Sequence, residues 1–177
     1  MSLEIRIAAA TDASAACTVL RRSIEECCVS DHKNDPAILA AWLGNKNPET
    51  VASWFASPTN FSLVALERGE VVGVALLTGA GKLALCYLLP EALRRGVGKA
   101  LLQRMEQQAG SWGVKALQLH STASGEAFFA SQGYVQAGKV RSPYGVETIF
   151  FWKQLDAVAG EPDGKRKRFC NCNSNSA

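Results

Sequence analysis

A short stretch between an apolar segment and an amphipathic one contains the residue types best suited to binding a charged ligand. It covers residues 88–102, in which the small or cationic residues are Arg94, Arg95, Gly96, Gly98 and Lys99. The first backbone N–H groups of a helix lack partners within the helix and carry partial positive charge. Glycines let a phosphate reach such groups, and basic side chains can neutralise its charge. The stretch therefore predicts a phosphate-binding turn, although Gly-x-Gly by itself also fits a plain tight turn before a helix.

Two other phosphate motifs do not fit this turn. A dinucleotide-binding fingerprint needs a third glycine or an alanine where Leu101 stands, and it usually lies early in the chain. A Walker loop needs a glycine at the position of Arg94 and a serine or threonine at that of Ala100. The turn therefore indicates neither a Rossmann domain nor a P-loop domain.

Alternating and helical patterns around the turn predict the elements that hold it. Strands are predicted at residues 3–7, 61–67, 71–77, 83–89, 114–119, 134–135 and 146–155. Helices are predicted at residues 12–28, 36–42, 48–55, 98–112 and 124–131. The turn then lies where a central apolar strand meets a helix that crosses over to the next parallel strand. Together these elements predict a single α/β domain with a mixed, mostly antiparallel central sheet and helices on both faces.

Length, composition and charge favour a soluble protein with one core. The chain has 177 residues, of which 47% are hydrophobic and 20% charged, with six cysteines and a net charge of +3. Residues 1–158 are predicted to form the domain, and residues 159–177 a polar, basic, flexible tail. Without the basic run at residues 165–168 the net charge is −1, which argues against nucleic acid as a partner. The lack of a membrane-spanning apolar segment and of a disulfide framework indicates a cytoplasmic protein.

The segment from Pro90 to Leu102 resembles the acetyl-CoA motif of the GNAT superfamily of N-acetyltransferases, and the resemblance extends over most of the chain before the tail. The usual form of that motif is Gln/Arg-x-x-Gly-x-Gly/Ala. With Gly96 and Gly98 as its glycines, the first position is Leu93, which departs from the family pattern. A frame that runs from Arg95 to Ala100 restores the motif but spoils the match of the flanks, so the first frame is preferred.

The resemblance implies a GNAT-like fold and acetyl-CoA as co-substrate, because backbone amides of this turn hold the pyrophosphate in that family. A second similar segment, residues 122–134, has two aromatics, three further residues, then glycine and an aromatic. In the family this helix flanks the pantetheine arm. The implied cofactor contacts are Leu88, Leu89, Arg94, Arg95, Gly96, Val97, Gly98, Lys99, Ala100, Thr122 and Phe129.

By the same resemblance, the acetyl thioester lies at the splayed end of the strand at residues 83–89. Backbone N–H groups near Leu88 and Leu89 would then polarise its carbonyl oxygen. No carboxylate or histidine lies on that strand, so the general base has to come from elsewhere. His120, at the end of the next strand, is the first candidate, because the pKa of histidine suits proton transfer near neutral pH. His32 and Glu26 are weaker candidates, since they belong to the helical region expected to cover the acceptor site.

The general acid that protonates the departing thiolate also has to be identified among the side chains near the thioester. Many relatives carry a tyrosine where Phe129 stands, and a phenyl ring has no proton to give. Tyr87 is the first substitute, with Tyr144 or a water as alternatives. The thiolate can also leave without a dedicated acid, because it is only weakly basic.

The remaining thiols do not indicate chemistry of their own. Cys86 lies inside an apolar strand without a neighbouring histidine, where cysteines are usually inert. Cys170 and Cys172 lack the further ligands of a zinc site, so no metal is expected.

Three functions fit these observations to different degrees. The first is an N-acetyltransferase that acts on an amine of a small molecule or protein. The second is a non-catalytic acyl-CoA-binding sensor or partner module, suggested by Phe129 and by the missing carboxylate. The third is a nucleic-acid-binding protein that uses the basic tail, which the charge does not favour. The acceptor has no recognisable motif, and the sequence leaves a homodimer open.

Overall fold

The computed structural model describes residues 2–156, so the predicted boundary at residue 158, the predicted flexible tail and Cys170 and Cys172 lie outside the described residues. The strands are β1 (Leu3–Ile7), β2 (Asn60–Glu67), β3 (Glu70–Thr78), β4 (Lys82–Leu88), β5 (Ala116–Ser121), β6 (Val135–Arg141) and β7 (Glu147–Gln154). The α-helices are α1 (Ala13–Arg22), α2 (Val29–His32), α3 (Pro36–Leu43), α4 (Pro48–Ala56), α5 (Val97–Ser111) and α6 (Glu126–Ser131). Single 3₁₀ turns lie at Ala10–Asp12, Pro90–Ala92 and Ala123–Gly125.

The seven described strands form one sheet in the order β1-β2-β3-β4-β5-β7-β6. Every neighbouring pair is antiparallel except β4 and β5, which α5 connects as a parallel pair. The predicted mixed, mostly antiparallel α/β fold is confirmed. Most strand bounds lie within one or two residues of the predicted ones, but β6 is much longer than the predicted residues 134–135.

Helices cover both faces of the β1–β4 part of the sheet. On one face, α5 contributes Leu101 and Met105 to a core that also includes Leu63 and Leu119. On the other face, α1 and α4 pack Leu20 and their other apolar residues against β3. Each helix buries one apolar stripe, as the three- and four-residue spacing in its sequence requires.

The first predicted helix, at residues 12–28, is wrong in its second half. The α-helix ends at Arg22 and continues as a π-helical turn over Ser23–Cys27, which widens the helix and releases backbone carbonyls from their usual partners. Fully buried His32 satisfies one of them, since its Nε2 lies 3.0 Å from the carbonyl oxygen of Ile24. Nδ1 of His32 accepts the N–H of Asn34 at 3.0 Å, so Nε2 is the nitrogen that donates. His32 is therefore a structural residue, and its candidacy as a general base is wrong.

β4 and β5 pair over a very short distance. The paired residues are Lys82 with Gln118 and Leu83 with Leu119. After these two pairs, β4 continues alongside β3 alone and β5 alongside β7 alone. The two central strands therefore diverge and leave a gap in the middle of the sheet.

Candidate active site

A cleft of about 600 Å³ occupies the gap between β4 and β5. The turn before α5, the 3₁₀ turn at Ala123–Gly125 and the start of α6 form one part of its wall, and the π-helical turn forms another. The predicted site residues that line it are Tyr87, Leu88, Arg94, Gly96, Gly98, Lys99, His120, Thr122 and Phe129. Leu89, Arg95, Val97 and Ala100 do not line it. The structure thus brings most of the predicted site residues together.

The cleft opens toward both faces of the sheet. Successive side chains of a strand point to opposite faces, so Cys86 packs in the core on the α5 side and Tyr87 in the cores on the α1 side. By the same alternation, His120 lies on the face opposite Leu119, which belongs to the α5-side core. We call the part lined by Arg94, Gly96, Gly98 and Lys99 the cofactor end. The part lined by Ser23, Cys27, Cys28, Tyr87 and His120 is the acceptor end.

The turn before α5 presents main-chain N–H groups without partners. Arg94 and Gly96 both adopt left-handed backbone conformations, with φ of 58° and 84°, and α5 starts directly afterwards at Val97. Within residues 2–156, the amides of Gly96 to Lys99 donate to no protein acceptor. The Ala100 amide donates to the carbonyl oxygen of Gly96 at 3.0 Å, so the run of unpaired amides ends at Lys99. Four successive unpaired amides at the start of a 15-residue helix make an anion-binding turn.

The three predicted cations have different roles. Arg95 forms a salt bridge with Glu67 at 3.0 Å and reaches the carbonyl oxygen of Glu91 at 3.4 Å, so it fastens the turn to β2. Arg94 and Lys99 are exposed at the cofactor end and form no hydrogen bond or salt bridge with other residues of the described chain. Their charges therefore remain available to a ligand.

The two glycines of the turn serve different purposes. Gly96 needs its left-handed conformation, and a Cβ atom there would meet nothing within 4 Å. Gly98 is buried, and a Cβ atom there would lie 3.3 Å from Cζ of Phe128 and 3.5 Å from a methyl carbon of Leu88. Gly98 therefore lets α5 approach α6 and β4 closely, which keeps the wall of the cleft narrow.

The two amides predicted to polarise the thioester carbonyl, those of Leu88 and Leu89, point in opposite directions. The N–H of Leu89 donates to the carbonyl oxygen of Val72 at 2.9 Å, so its predicted role as a polarising donor is wrong. In an antiparallel ladder the neighbouring amide points the opposite way. The N–H of Leu88 is thus directed from β3 toward the gap.

The segment around Thr122 supports the cofactor end from the β5 side. The hydroxyl of Thr122 accepts the N–H of Gly125 at 3.2 Å and stabilises the turn that leads into α6. Phe129 is largely buried between Phe128 and Tyr134, with ring-centre distances of 5.0 and 5.8 Å, and its remaining surface borders the cleft. Phe129 is therefore both a core residue and a wall of the cleft.

The two predicted catalytic residues lie at the acceptor end. His120 is exposed, its ring centre is 5.3 Å from that of Phe150, and partial burial together with the charge of Lys82 lowers its pKa. Burial raises the pKa of Tyr87, so its hydroxyl stays protonated over the whole neutral range. His120 is thus mostly unprotonated near pH 7 and can accept a proton, while Tyr87 retains its hydroxyl proton.

Glu26 and Cys86, the other side chains considered for chemistry, are not available for it. Glu26 and Glu91 both bind Arg22, at 2.8 and 2.7 Å, so Glu26 is held away from the cleft as part of an ion-pair network. Burial raises the pKa of Cys86 to about 12, which keeps this thiol protonated and inert, as the sequence predicted.

Sequence reasoning missed Ser23, Cys27 and Cys28 as part of the site. They reach the cleft because the π-helical turn redirects the chain after Arg22, and no signal in the sequence marks that change. Within residues 2–156, Cys17, Cys27, Cys28 and Cys86 are unpaired thiols.

Residues 2–156 contain neither a metal-binding cluster nor a helix that could span a membrane. This part of the chain contains no group of three or more His, Cys, Asp or Glu residues placed to hold a metal ion. Its helices are all too short or too polar to cross a bilayer.

Comparison with known proteins agrees with this geometry. Residues 28–154, more than half of the chain, match the acetyltransferase (GNAT) domain family. The chain belongs to the GNAT family, as the turn and the aromatic segment predicted, and is an acetyl-CoA-dependent N-acetyltransferase. Among curated proteins, none matches the sequence significantly.

Solved structures share the fold at low sequence identity. A GCN5-related N-acetyltransferase from Rhodopseudomonas palustris superposes with a TM-score of 0.78 at 24% identity, over 88% of this chain and 97% of the other. The PaiA N-acetyltransferase from Thermoplasma acidophilum, solved with coenzyme A, gives 0.74 at 20%, over 88% and 100%. A GNAT phosphinothricin acetyltransferase from Sinorhizobium meliloti, solved with acetyl-CoA, gives 0.68 at 22%, over 92% and 94%.

Proposed function

We propose that this enzyme transfers the acetyl group of acetyl-CoA directly to an amine of a small molecule or protein. One observation carries the proposal: the amides from Gly96 to Lys99 have no acceptor among the described residues and lie at the mouth of a cleft that opens to both faces of the sheet. A diphosphate at one end and an amine at the other would meet inside the sheet. Direct transfer is supported because burial raises the pKa of the three described thiols that line the cleft, Cys27, Cys28 and Cys86, so none of them is an activated nucleophile.

The residues at the cofactor end fit a diphosphate. Its oxygens would accept hydrogen bonds from the unpaired amides, and Arg94 and Lys99 would balance its charge. Gly98 lets α5 pack closely against Phe128 and Leu88, and these two side chains would line the path of the arm that leads toward the gap. Acetyl-CoA, when bound, supplies an activated thioester.

The residues around the gap fit the chemistry of acetyl transfer. The Leu88 N–H is directed toward the gap and would polarise the carbonyl oxygen of the thioester. The amine nitrogen attacks the carbonyl carbon, the carbon–sulfur bond breaks, and the nitrogen gives up a proton to His120 directly or through a water. Tyr87 would supply a proton to the sulfur, a role that Phe129 cannot have.

The test combines binding and turnover. Calorimetric titration with acetyl-CoA is expected to give one site per chain, and release of the CoA thiol is then followed over a panel of primary amines. Failure of acetyl-CoA to bind would contradict the proposal.

A second function is favoured by one observation, the phenyl ring of Phe129 where an acid would be useful. A non-catalytic acyl-CoA sensor would bind acetyl-CoA yet release no thiol with any amine, and the same assay separates the two. His120→Gln and Tyr87→Phe then assign the proton transfers, since each variant is expected to lower turnover while leaving acetyl-CoA affinity unchanged.

A further inference from the structure

A carboxylate on the acceptor-side wall binds the opposite wall of the cleft. Oδ1 of Asp31, on α2, accepts the N–H of Ala123 at 2.6 Å, and Oδ2 accepts the hydroxyl of Ser124 at 2.7 Å. These partners lie 92 and 93 residues further along the chain. Hydrogen bonds to a charged acceptor are among the stronger ones, and here one carboxylate makes two. We call this contact the Asp31 bridge.

The Asp31 bridge joins two segments that both line the cleft. Cys27 and Cys28 precede α2, and Ser124 belongs to the turn before α6. Burial raises the pKa of the Cys28 thiol to about 12 and the neighbouring Ser124 hydroxyl lowers it, so Ser124 approaches the acceptor-side wall at two points. A change in the position of one wall is therefore passed to the other.

The bridge also leads to the turn that binds the diphosphate. Ala123 starts the 3₁₀ turn that continues into α6, and α6 carries Phe128. Cζ of Phe128 lies 3.3 Å from the point where a Cβ of Gly98 would be. A continuous set of contacts thus runs from Asp31 through α6 to the start of α5.

α2 depends on contacts outside the helix to stay in place. It is a single turn of four residues, followed by Lys33 and Asn34 in left-handed conformations with φ of 52° and 55°. Such a short helix is not stable by its own hydrogen bonds. His32 fixes it to the carbonyl oxygen of Ile24, and the Asp31 bridge fixes it to the opposite wall of the cleft.

We propose that Asp31 is a positioning residue that couples the two walls, so that binding of the cofactor orders α2 and with it the acceptor end. The inference rests on the proposed function, because it requires coenzyme A at the cofactor end. Coupling of this kind is a free energy shared by two sites, with typical factors of about 5 to 150 in affinity. The Asp31 bridge supplies the hydrogen bonds between α2 itself and the opposite wall, through which the cofactor can bias α2.

Hydrogen–deuterium exchange with mass spectrometry tests the coupling on the full chain. Exchange of a peptide covering residues 29–35 is measured with and without saturating coenzyme A. We expect the cofactor to slow this exchange about tenfold in the wild type, a coupling within the usual range. Asp31→Ala should reduce the slowing to less than about twofold. Asp31→Asn should retain it, because an amide oxygen still accepts from Ala123 and the amide nitrogen can pair with Ser124.

Each outcome separates the inference from the function on which it rests. A general loosening of α2 in Asp31→Ala that leaves the cofactor-dependent slowing intact would make Asp31 merely structural and overturn the coupling. Wild type that binds coenzyme A without any change in α2 would overturn it as well, with the proposed function unharmed. Wild type that does not bind coenzyme A at all would contradict both. If Asp31→Ala does not fold, Ser124→Ala removes one half of the bridge and should show an intermediate slowing.

Discussion

The two ends of the cleft differ in how their polar groups are used. At the cofactor end, the amides of Gly96 to Lys99 and the side chains of Arg94 and Lys99 have no partners among the described residues. At the acceptor end and behind it, polar groups bind one another: His32 binds backbone carbonyls and Asp31 binds the opposite wall. The polar groups of the first end are available to an anionic ligand, and those of the second end stabilise the local fold.

Unpaired and paired polar groups therefore indicate different roles, ligand binding at the cofactor end and structural support at the acceptor end. Leaving a buried or constrained polar group unpaired costs free energy, so such groups persist where a ligand supplies the partner. Polar groups that already have partners mark structure instead. The histidine that sequence reasoning kept as a weaker base candidate proved to be of the second kind.

The largest loss of acetyl-CoA affinity is expected when a bulky side chain is added at Gly98, at the cofactor end. Gly98→Val places branched methyl groups where a Cβ alone already lies 3.3 Å from Phe128, and they cover the unpaired amides of the turn. We expect acetyl-CoA affinity to fall at least about 100-fold, which corresponds to about 2.7 kcal/mol. Calorimetry measures the affinity, and circular dichroism confirms that the variant is folded.

Gly110→Ala is the matched control in the same helix. A Cβ at Gly110 meets nothing within 4 Å, so the change should leave affinity unaltered and stabilise α5 by up to about 1 kcal/mol. Wild-type affinity in Gly98→Val would show that the cofactor does not use this turn and would remove the contrast between the two ends.

The next effect should appear at the other end, in stability and not in binding. His32→Leu leaves the carbonyl of buried Ile24 without its partner and removes the acceptor of the N–H of exposed Asn34. We expect the free energy of unfolding to fall by about 2 kcal/mol, as measured by urea denaturation, with acetyl-CoA affinity unchanged. Loss of turnover at wild-type stability would instead return His32 to the catalytic candidates.

A smaller effect is expected from one charge at the cofactor end. Lys99→Gln removes a cation that has no protein partner within the described chain, and acetyl-CoA affinity should fall about tenfold at low salt. The difference should shrink as ionic strength rises, because salt screens exposed charges. Lys115→Gln, an equally exposed lysine outside the cleft, should change nothing. A salt-independent loss would point to a packing role.

The smallest effect concerns the pKa of His120. Burial lowers it, and the charge of Lys82 lowers it further, so Lys82→Gln should raise it toward the ordinary value of about 6.5. The ring signals of His120 can be followed by NMR, since the chain has only two histidines and His32 is buried. If His120 is the base, the acid limb of kcat/KM should move to higher pH in step with the NMR value. Limbs that stay in place while the pKa of His120 moves would exclude it.

The same pKa sets a direction for stability. Because the folded-state pKa of His120 lies below its unfolded value, the unfolded chain binds more protons between the two values. Stability therefore rises with pH through this window and declines as the pH falls below about 6.5. Lys82→Gln should lessen the decline, as measured by thermal unfolding across pH.

Local patterns in the sequence were sufficient for much of the fold and for the cofactor end. The two apolar runs at residues 61–67 and 71–77, with a turn at residues 68–70 between them, predicted the β2–β3 hairpin, and the apolar stripe of α5 predicted that helix to within one residue. The turn was predictable because its determinants are adjacent in the chain: two glycines, cations and a helix start.

The acceptor end was not predictable in the same way. The π-helical turn after Arg22 depends on tertiary packing, and nothing in its residues distinguishes it from the α-helix that the pattern predicts. The Asp31 bridge joins residues more than 90 positions apart, which no local pattern specifies. The Leu89 amide illustrates the same limit, because only the register with β3 decides which way an amide points.

The two-pair ladder between β4 and β5 has a mechanical consequence. A sheet transmits stress through its inter-strand hydrogen bonds, and at this junction very few exist. The sheet therefore consists of two blocks, β1–β4 and β5–β7–β6, and we expect rotation of one block relative to the other to be easier than motion within either block. A ligand bound in the cleft would contact both blocks and connect them, so we expect the enzyme with bound ligand to be more rigid than the free enzyme.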